Sequence, residues 1–327
     1  FYIHIGDNER AAEIVRKTGF SRFDPWLMAS DISIAMMRGK RSGNIKKGQQ
    51  MIFSSSYTPF SISELASALG TVEMEYGTRK KSRDLFNQSL VDPNDNSLAQ
   101  AEWAMISARI PITIQSGLNV KCSHESKVYK ALELNDARES IHHAIDWICD
   151  MPFSLKPVFI GYEISTSLLR DYDLSSNILG VGLKSHPNDP WMLNNRAYVN
   201  ARINKLDEAE KDMEQLEHCN KALSESMSIC KEATHGLIAY RRKDREKGRK
   251  LYEQAILRAS TMKENSEEIK VKAQINMLRE EIIFSNYQNT SALMELEQLV
   301  IPNEKLELVK LRNEVFDEMK KNEKNQG

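Results

Sequence analysis

Several things are scarce in this sequence. Glycine and proline number 14 and 9 in 327 residues, too few for a loop-rich or fibrous chain. Four cysteines (Cys122, Cys149, Cys219, Cys230) stand far apart with no CxxC spacing, which argues against a disulfide framework and for idle or buried thiols in a cytoplasmic protein. Net charge is −1, so no global field directs the chain to nucleic acid or an anionic membrane. No apolar run approaches the roughly 18–20 residues of a membrane span, and no basic-then-apolar signal sequence opens the chain. GxSxG, HExxH, GxxxxGK[ST] and kinase-type motifs are missing, so the common hydrolase, zinc-protease and nucleotide chemistries have no signature here.

What remains is helix-forming: 28% charged and 41% hydrophobic residues, enough to bury a core. The helical segments carry a recurrent stripe. In "EYGTRKKSRDLFNQSLVDPNDN", the small Ser82 is followed four residues later by Phe86 and three later by Ser89. Offsets of 0, 4 and 7 share one helix face, where small residues admit a neighbouring helix and the large one fills the gap. The pattern returns as Ala11/Val15/Thr18, Gly48/Ile52/Ser55, Ala137/Ile141/Ala144, Ser175/Leu179/Gly182 and Gly248/Tyr252/Ala255, with Ala209/Met213/Leu216 a looser copy. First positions are separated by 37, 34, 55, 38, 34 and 39 residues, near one period except at the break. A small residue also stands twelve positions ahead in several copies: Gly70 before Ser82, Ala197 before Ala209, Gly236 before Gly248.

This pattern resembles the tetratricopeptide repeat family, whose unit is a helix–turn–helix of about 34 residues. The resemblance runs from Phe1 to about Ser260 and is strongest over Pro157–Glu217 and Ile229–Met262, although no Trp occupies the family's first-helix aromatic position. It implies an all-α, right-handed α-solenoid of about seven helical pairs with a C-terminal helical cap. The expected organisation is TPR-like repeats over 1–96 (the first one truncated), an irregular insert with an extra helix over 97–130, repeats again over 131–262, and capping helices with a polar tail over 263–327. Because Phe1 to Gly6 reads as the tail of a first helix, the chain is expected to be the C-terminal arm of a larger multidomain protein. Phe1, Ile3 and Ile5 would then lie at a raw end, with an upstream domain as one partner.

The resemblance also implies a concave groove, lined by first helices, that takes another protein or a peptide. Here the matching faces offer Trp191, Asn194, Asn195, Tyr198 and Arg202, then Tyr240 and Arg241. Amides pair with extended backbone, Arg with carboxylate, and aromatics supply contact area; the same aromatics could equally be helix–helix packing. The family's chaperone-binding carboxylate clamp lacks its Lys, since the corresponding positions hold Ile160, Asn194 and Ala233.

A second candidate is basic. Between Tyr240 and Lys250, seven cations (Arg241, Arg242, Lys243, Arg245, Lys247, Arg249, Lys250) face two acids, whereas Lys205–Glu217 carries six acids and two cations. The patch could bind phosphate or nucleic acid, but complementing the acidic helix across the stack is the favoured role. The histidines of "ESIHHAIDWICD" and the Cys122-Ser123-His124 pair lack the three or four convergent ligands a metal needs. No cofactor or metal is expected and no catalysis. The favoured function is a non-catalytic interaction scaffold, with a peptide-sensing regulatory domain next and a nucleic-acid-binding repeat below it.

Overall fold

The computed structural model describes residues 1–19, 23–115, 118, 120–219, 223–262, 266–302 and 305–326. All regular elements among them are helical, and the chain divides into two compact units, Phe1–Ile164 and Ser165–Gly327. The first unit holds α1 (Asn8–Thr18), α2 (Pro25–Met37), α3 (Ile45–Ile52), α4 (Pro59–Tyr76), α5 (Arg79–Ser89), α6 (Asp95–Ala108), α7 (His124–Glu133), α8 (Ala137–Asp150) and α9 (Leu155–Glu163). A π-helical turn, Ile164–Leu168, follows α9. The second unit holds α10 (Tyr172–Ser185), α11 (Pro190–Arg202), α12 (Leu206–Glu217), α13 (Glu225–Arg241), α14 (Arg245–Thr261), α15 (Ser266–Phe284), α16 (Thr290–Gln298) and α17 (Leu306–Gln326). Within each unit most successive helices pack on one another, most extensively α4 on α5, α7 on α8, α11 on α12, α13 on α14 and α14 on α15. This is the packing of a generic helical-repeat fold.

Four helix entries share one construction, whereas the α4–α5 turn keeps Gly77 at φ −128° and α12 opens at Lys205 with no side-chain cap. The outgoing helix ends with a residue at positive φ, and an acid or hydroxyl then caps the next helix. Gly6-Asp7, Asn135-Asp136, Arg170-Asp171 and Lys243-Asp244 all follow it, with φ of 77°, 57°, 56° and 70° at the first residue. At Gly6 the amide donates to the Ile3 carbonyl and the Asp7 amide to that of Tyr2, a Schellman closure. Asp7, Asp136, Asp171 and Asp244 then accept backbone N–H groups from the first turn they open, each cap contributing about 1 kcal/mol.

The small–large–small stripe explains why the hairpins close. Ser82 is fully buried and its hydroxyl donates to the Gly70 carbonyl at 2.9 Å, while the Phe86 ring covers Gly70. The same arrangement joins α13 to α14: a Cβ at Gly236 would stand 2.9 Å from the Tyr252 ring, and one at Gly248 would stand 3.0 Å from the Gly236 carbonyl. Two details differ from the sequence expectation. In α8 the buried small residue is Ser140, not the half-buried Ala137, and the face runs Ser140, Ala144, Trp147. The reason is the cap: the first stripe residue lies four past the N-cap in the other copies, and Asp136 caps α8. Thr18 and Ser55 are exposed, because α1 ends and α3 has already stopped.

Residues 1–6 form a helical turn in which Phe1 stays 69% exposed. The His4 carbonyl accepts from the Leu155 amide at 3.1 Å, and the Phe1 and Phe153 rings lie 5.5 Å apart. Ile3 and Ile5 are half-buried.

One buried acid in this unit has consequences for stability. Glu102 on α6 is 5% exposed, and burial, reinforced by the charge of Glu133, pushes its carboxyl up to about 7. The folded state therefore holds this proton more tightly than the unfolded chain, and stability falls as pH rises from about 4.5 toward 7. Glu102→Gln, which cannot ionise, is expected to stabilise the protein by about 2 kcal/mol at pH 8 and by nothing measurable at pH 4. Urea unfolding at the two pH values checks this.

Candidate functional site

The first-helix faces of the second unit are built by α11 and α13. Asp189 accepts the Met192 amide at 2.9 Å, so the Asp189-Pro190-Trp191 string is a capped helix start. Asp24-Pro25-Trp26 starts α2 in the same way, with Asp24 accepting the Trp26 and Leu27 amides. Down α11, Trp191 stays 40% exposed, Asn194 is buried, and Asn195 and Tyr198 are half-buried. Arg202 is enclosed, its side chain 1% exposed.

The structure brings Tyr198, Arg202 and Arg241 into one network and Tyr240 into a second group around Glu281, and what they meet is their own chain. Arg202 donates from Nη2 to Glu314 Oε1 of α17 at 2.6 Å and from Nη1 to the Tyr198 hydroxyl at 2.8 Å. Its guanidinium carbon lies 4.4 Å from the Tyr172 ring centroid and 5.8 Å from that of Tyr198, within cation–π range. Tyr172 donates its hydroxyl to the same Glu314 oxygen at 2.7 Å, and Tyr198 reaches Asn276 of α15 at 3.2 Å. Glu318 lies 3.5 Å from Arg202 and pairs with Arg279 at 2.8 Å. Arg279 pairs in turn with Glu280 at 2.7 Å, which also receives Arg241 Nη2 at 2.9 Å. Tyr240 donates to Glu281 at 2.7 Å.

Burial opposes charge throughout both groups, and pairing overcomes it. For Arg202, desolvation is outweighed by the surrounding tyrosines and Glu314, so the cation is held more firmly than usual. For Glu281, desolvation is outweighed by hydrogen bonds from Arg245 and Tyr240, which hold its carboxyl below the ordinary range. Tyr172 and Tyr240 are pushed up, first by burial, and stay neutral donors. Among the described residues five buried polar atoms lack a hydrogen-bond partner: His124 Nδ1, Asn194 Oδ1, Arg202 Nε, Arg241 Nε and Arg312 Nε.

The basic stretch is largely consumed. Arg242 bridges Asp207 and Glu210 of the acidic helix α12 at 2.5 and 2.6 Å, Arg245 holds Glu281 at 2.6 Å, and Arg249 holds Glu253 at 2.9 Å. Lys243, Lys247 and Lys250 are exposed and have no ion pair among the described residues. Elsewhere His143 pairs with Glu139 at 3.2 Å, and no cluster of three His, Cys, Asp or Glu is placed to hold a metal ion among the described residues. All four cysteines are free, Cys122 and Cys149 exposed. Among the described residues no helix is long and apolar enough to cross a membrane.

Sequence reasoning missed Tyr172, Asn276, Arg279, Glu280, Glu281, Glu314 and Glu318. A signal existed for α15. Its apolar residues fall all round the helix, the mark of a helix buried on every side, so charges within it must be paired. Leu278, Arg279, Glu280, Glu281 and Ile282 are indeed successive and all buried.

Compared with known proteins, the chain matches no family model and no curated protein.

Proposed function

We propose that this chain is a non-catalytic helical-repeat scaffold that holds another protein. One observation carries the reading: an exposed aromatic recurs as the second residue of a helix, directly after a cap–proline start. Trp26, Phe60 and Trp191 occupy that place and are 40%, 44% and 40% exposed. Cap and proline suffice to start a helix, so the aromatics are surplus to that task. Aromatic area left in water is characteristic of contact surfaces. In the first unit the Trp26 and Phe60 rings are 5.7 Å apart beside Tyr57, whose hydroxyl donates to the Phe23 carbonyl at 2.9 Å. On this reading the hairpins are degenerate tetratricopeptide-like repeats wound right-handed, α15–α17 form their C-terminal cap, and the protein works in the cytoplasm.

Trp26→Ala/Phe60→Ala is expected to lower capture of a partner protein from native extract at least tenfold, with circular dichroism and melting temperature unchanged. Equal capture by wild type and variant would remove this surface from the account. The peptide-sensing alternative is favoured by the Arg202 network. Nucleic-acid binding ranks below both, because four of the seven cations in the basic stretch are engaged in ion pairs.

A further inference from the structure

The Arg202 surroundings are constructed like a ligand site that already holds a ligand. A guanidinium carried on a first helix is taken out of water, flanked by two tyrosine rings, and given a carboxylate from α17. Such a charge cannot stay buried without an anionic partner. Yet the partner it has is a poor match. Glu314 Oε1 serves both Arg202 Nη2 and the Tyr172 hydroxyl, and Arg202 Nε, although enclosed, donates to nothing. A carboxylate docking side-on would take Nε and Nη2 together, the bidentate geometry that guanidinium prefers.

We propose that the Arg202 cradle recognises an acidic amphipathic helix supplied by another protein, and that α17 occupies it as a built-in competitor. The proposal deepens the scaffold reading by assigning a partner class to the second unit. The chemistry of that partner follows from the segment now in place. Glu314 and Glu318 stand one turn apart and meet Arg202 and Arg279. On the neighbouring face, Leu308 and Val315 are buried against α15, with Leu311 and Met319 packed beside them. The helix that fits therefore carries apolar residues at three- and four-residue spacing and two carboxylates one turn apart on the adjoining face. A complementary charge pair sets its register, and the unused Arg202 donor is the margin by which it can outbind α17.

Competition of this kind has a quantitative signature. A tethered ligand acts at an effective concentration near the millimolar range, and a competitor's apparent affinity falls by the fraction of molecules whose site is open. Weakening the tethered ligand must therefore strengthen the external one.

The test uses a fluorescein-labelled peptide of residues 305–322, titrated by anisotropy against the full chain. Glu314→Gln/Glu318→Gln in the protein is expected to tighten peptide binding at least tenfold over wild type. Adding Arg202→Met, or placing the two glutamines in the peptide instead, is expected to abolish the gain. No tightening in the double variant, or tightening that survives Arg202→Met, would overturn the proposal. Should the double variant fold poorly, wild type decides. Saturating peptide is expected to speed amide exchange over Leu308–Met319, and unchanged exchange there would overturn the proposal equally. Failure of the Trp26/Phe60 experiment would leave these readouts untouched, since they concern different helices and a defined peptide.

Discussion

Replacing Arg202 with methionine is expected to lower the melting temperature of the second unit by about 10 °C. The substitution leaves Glu314 buried, 9% exposed at its side chain, with the Tyr172 hydroxyl as its remaining partner. Removing one member of a buried ion pair costs about 3–5 kcal/mol, because the survivor is an uncompensated charge, and each kcal/mol moves a domain of this size by about 2–4 °C. The attraction between the two charges is not itself the source of the loss, since it is spent on their desolvation. Arg202→Met/Glu314→Met should therefore recover most of the stability, to within about 1–2 kcal/mol of wild type. A surface pair gives the contrast: Arg170 and Asp317 lie 2.8 Å apart with side chains 36% and 49% exposed. Arg170→Met is expected to cost under about 1 kcal/mol. Differential scanning calorimetry on the four proteins checks the ordering.

Glycine to alanine at position 248 is expected to destabilise the chain by about 3 kcal/mol, although alanine is the better helix former by about 1 kcal/mol. The added methyl would sit 2.5 Å from Cδ2 of Tyr240 and 3.0 Å from the Gly236 carbonyl oxygen. Tyr240 cannot yield freely, because its hydroxyl is tied to Glu281. The backbone carbonyl cannot yield without parting α13 from α14, so strain of overpacking prevails over propensity. Gly180 supplies the control within the same unit. It too is helical, but a methyl there meets nothing closer than the Arg196 guanidinium at 3.6 Å. Gly180→Ala is expected to stabilise by about 0.5–1 kcal/mol. Opposite signs for one chemical change would show that closeness of the helices, and not glycine's flexibility, explains the residue at 248.

The hairpins were legible in the sequence because their construction is local. The small residue, the large one four positions on and the small residue twelve positions ahead lie close in the chain, so the stripes at Ser82 and Gly248 can be read directly, whereas the positive φ of Lys243 has no sign in its residue type. The slip at Ala137 arose where two small residues, Ala137 and Ser140, compete three positions apart. Only the cap at Asp136 distinguishes them. The groove residues were legible as residues but not as a site. Nothing in Tyr198 or Arg202 states that their partners stand 78 and 112 positions away in Asn276 and Glu314. Periodicity finds which face is apolar; it does not say which later helix covers it. The basic stretch was legible in part: Arg242 pairs with the acidic α12 as the charge balance suggests, whereas Arg245 is neutralised by Glu281, outside the window in which charge is counted.

The burial of the Arg202 charge depends on α17 being seated against it, and amide hydrogen exchange tests that seating most directly. Exchange over Leu308–Met319 is expected to be slow in wild type. In Arg202→Met it should become fast there while the amides of α11–α14 keep their protection. Fast exchange over α17 in the wild-type chain would contradict the account, because Arg202 would then be a buried cation without its carboxylate.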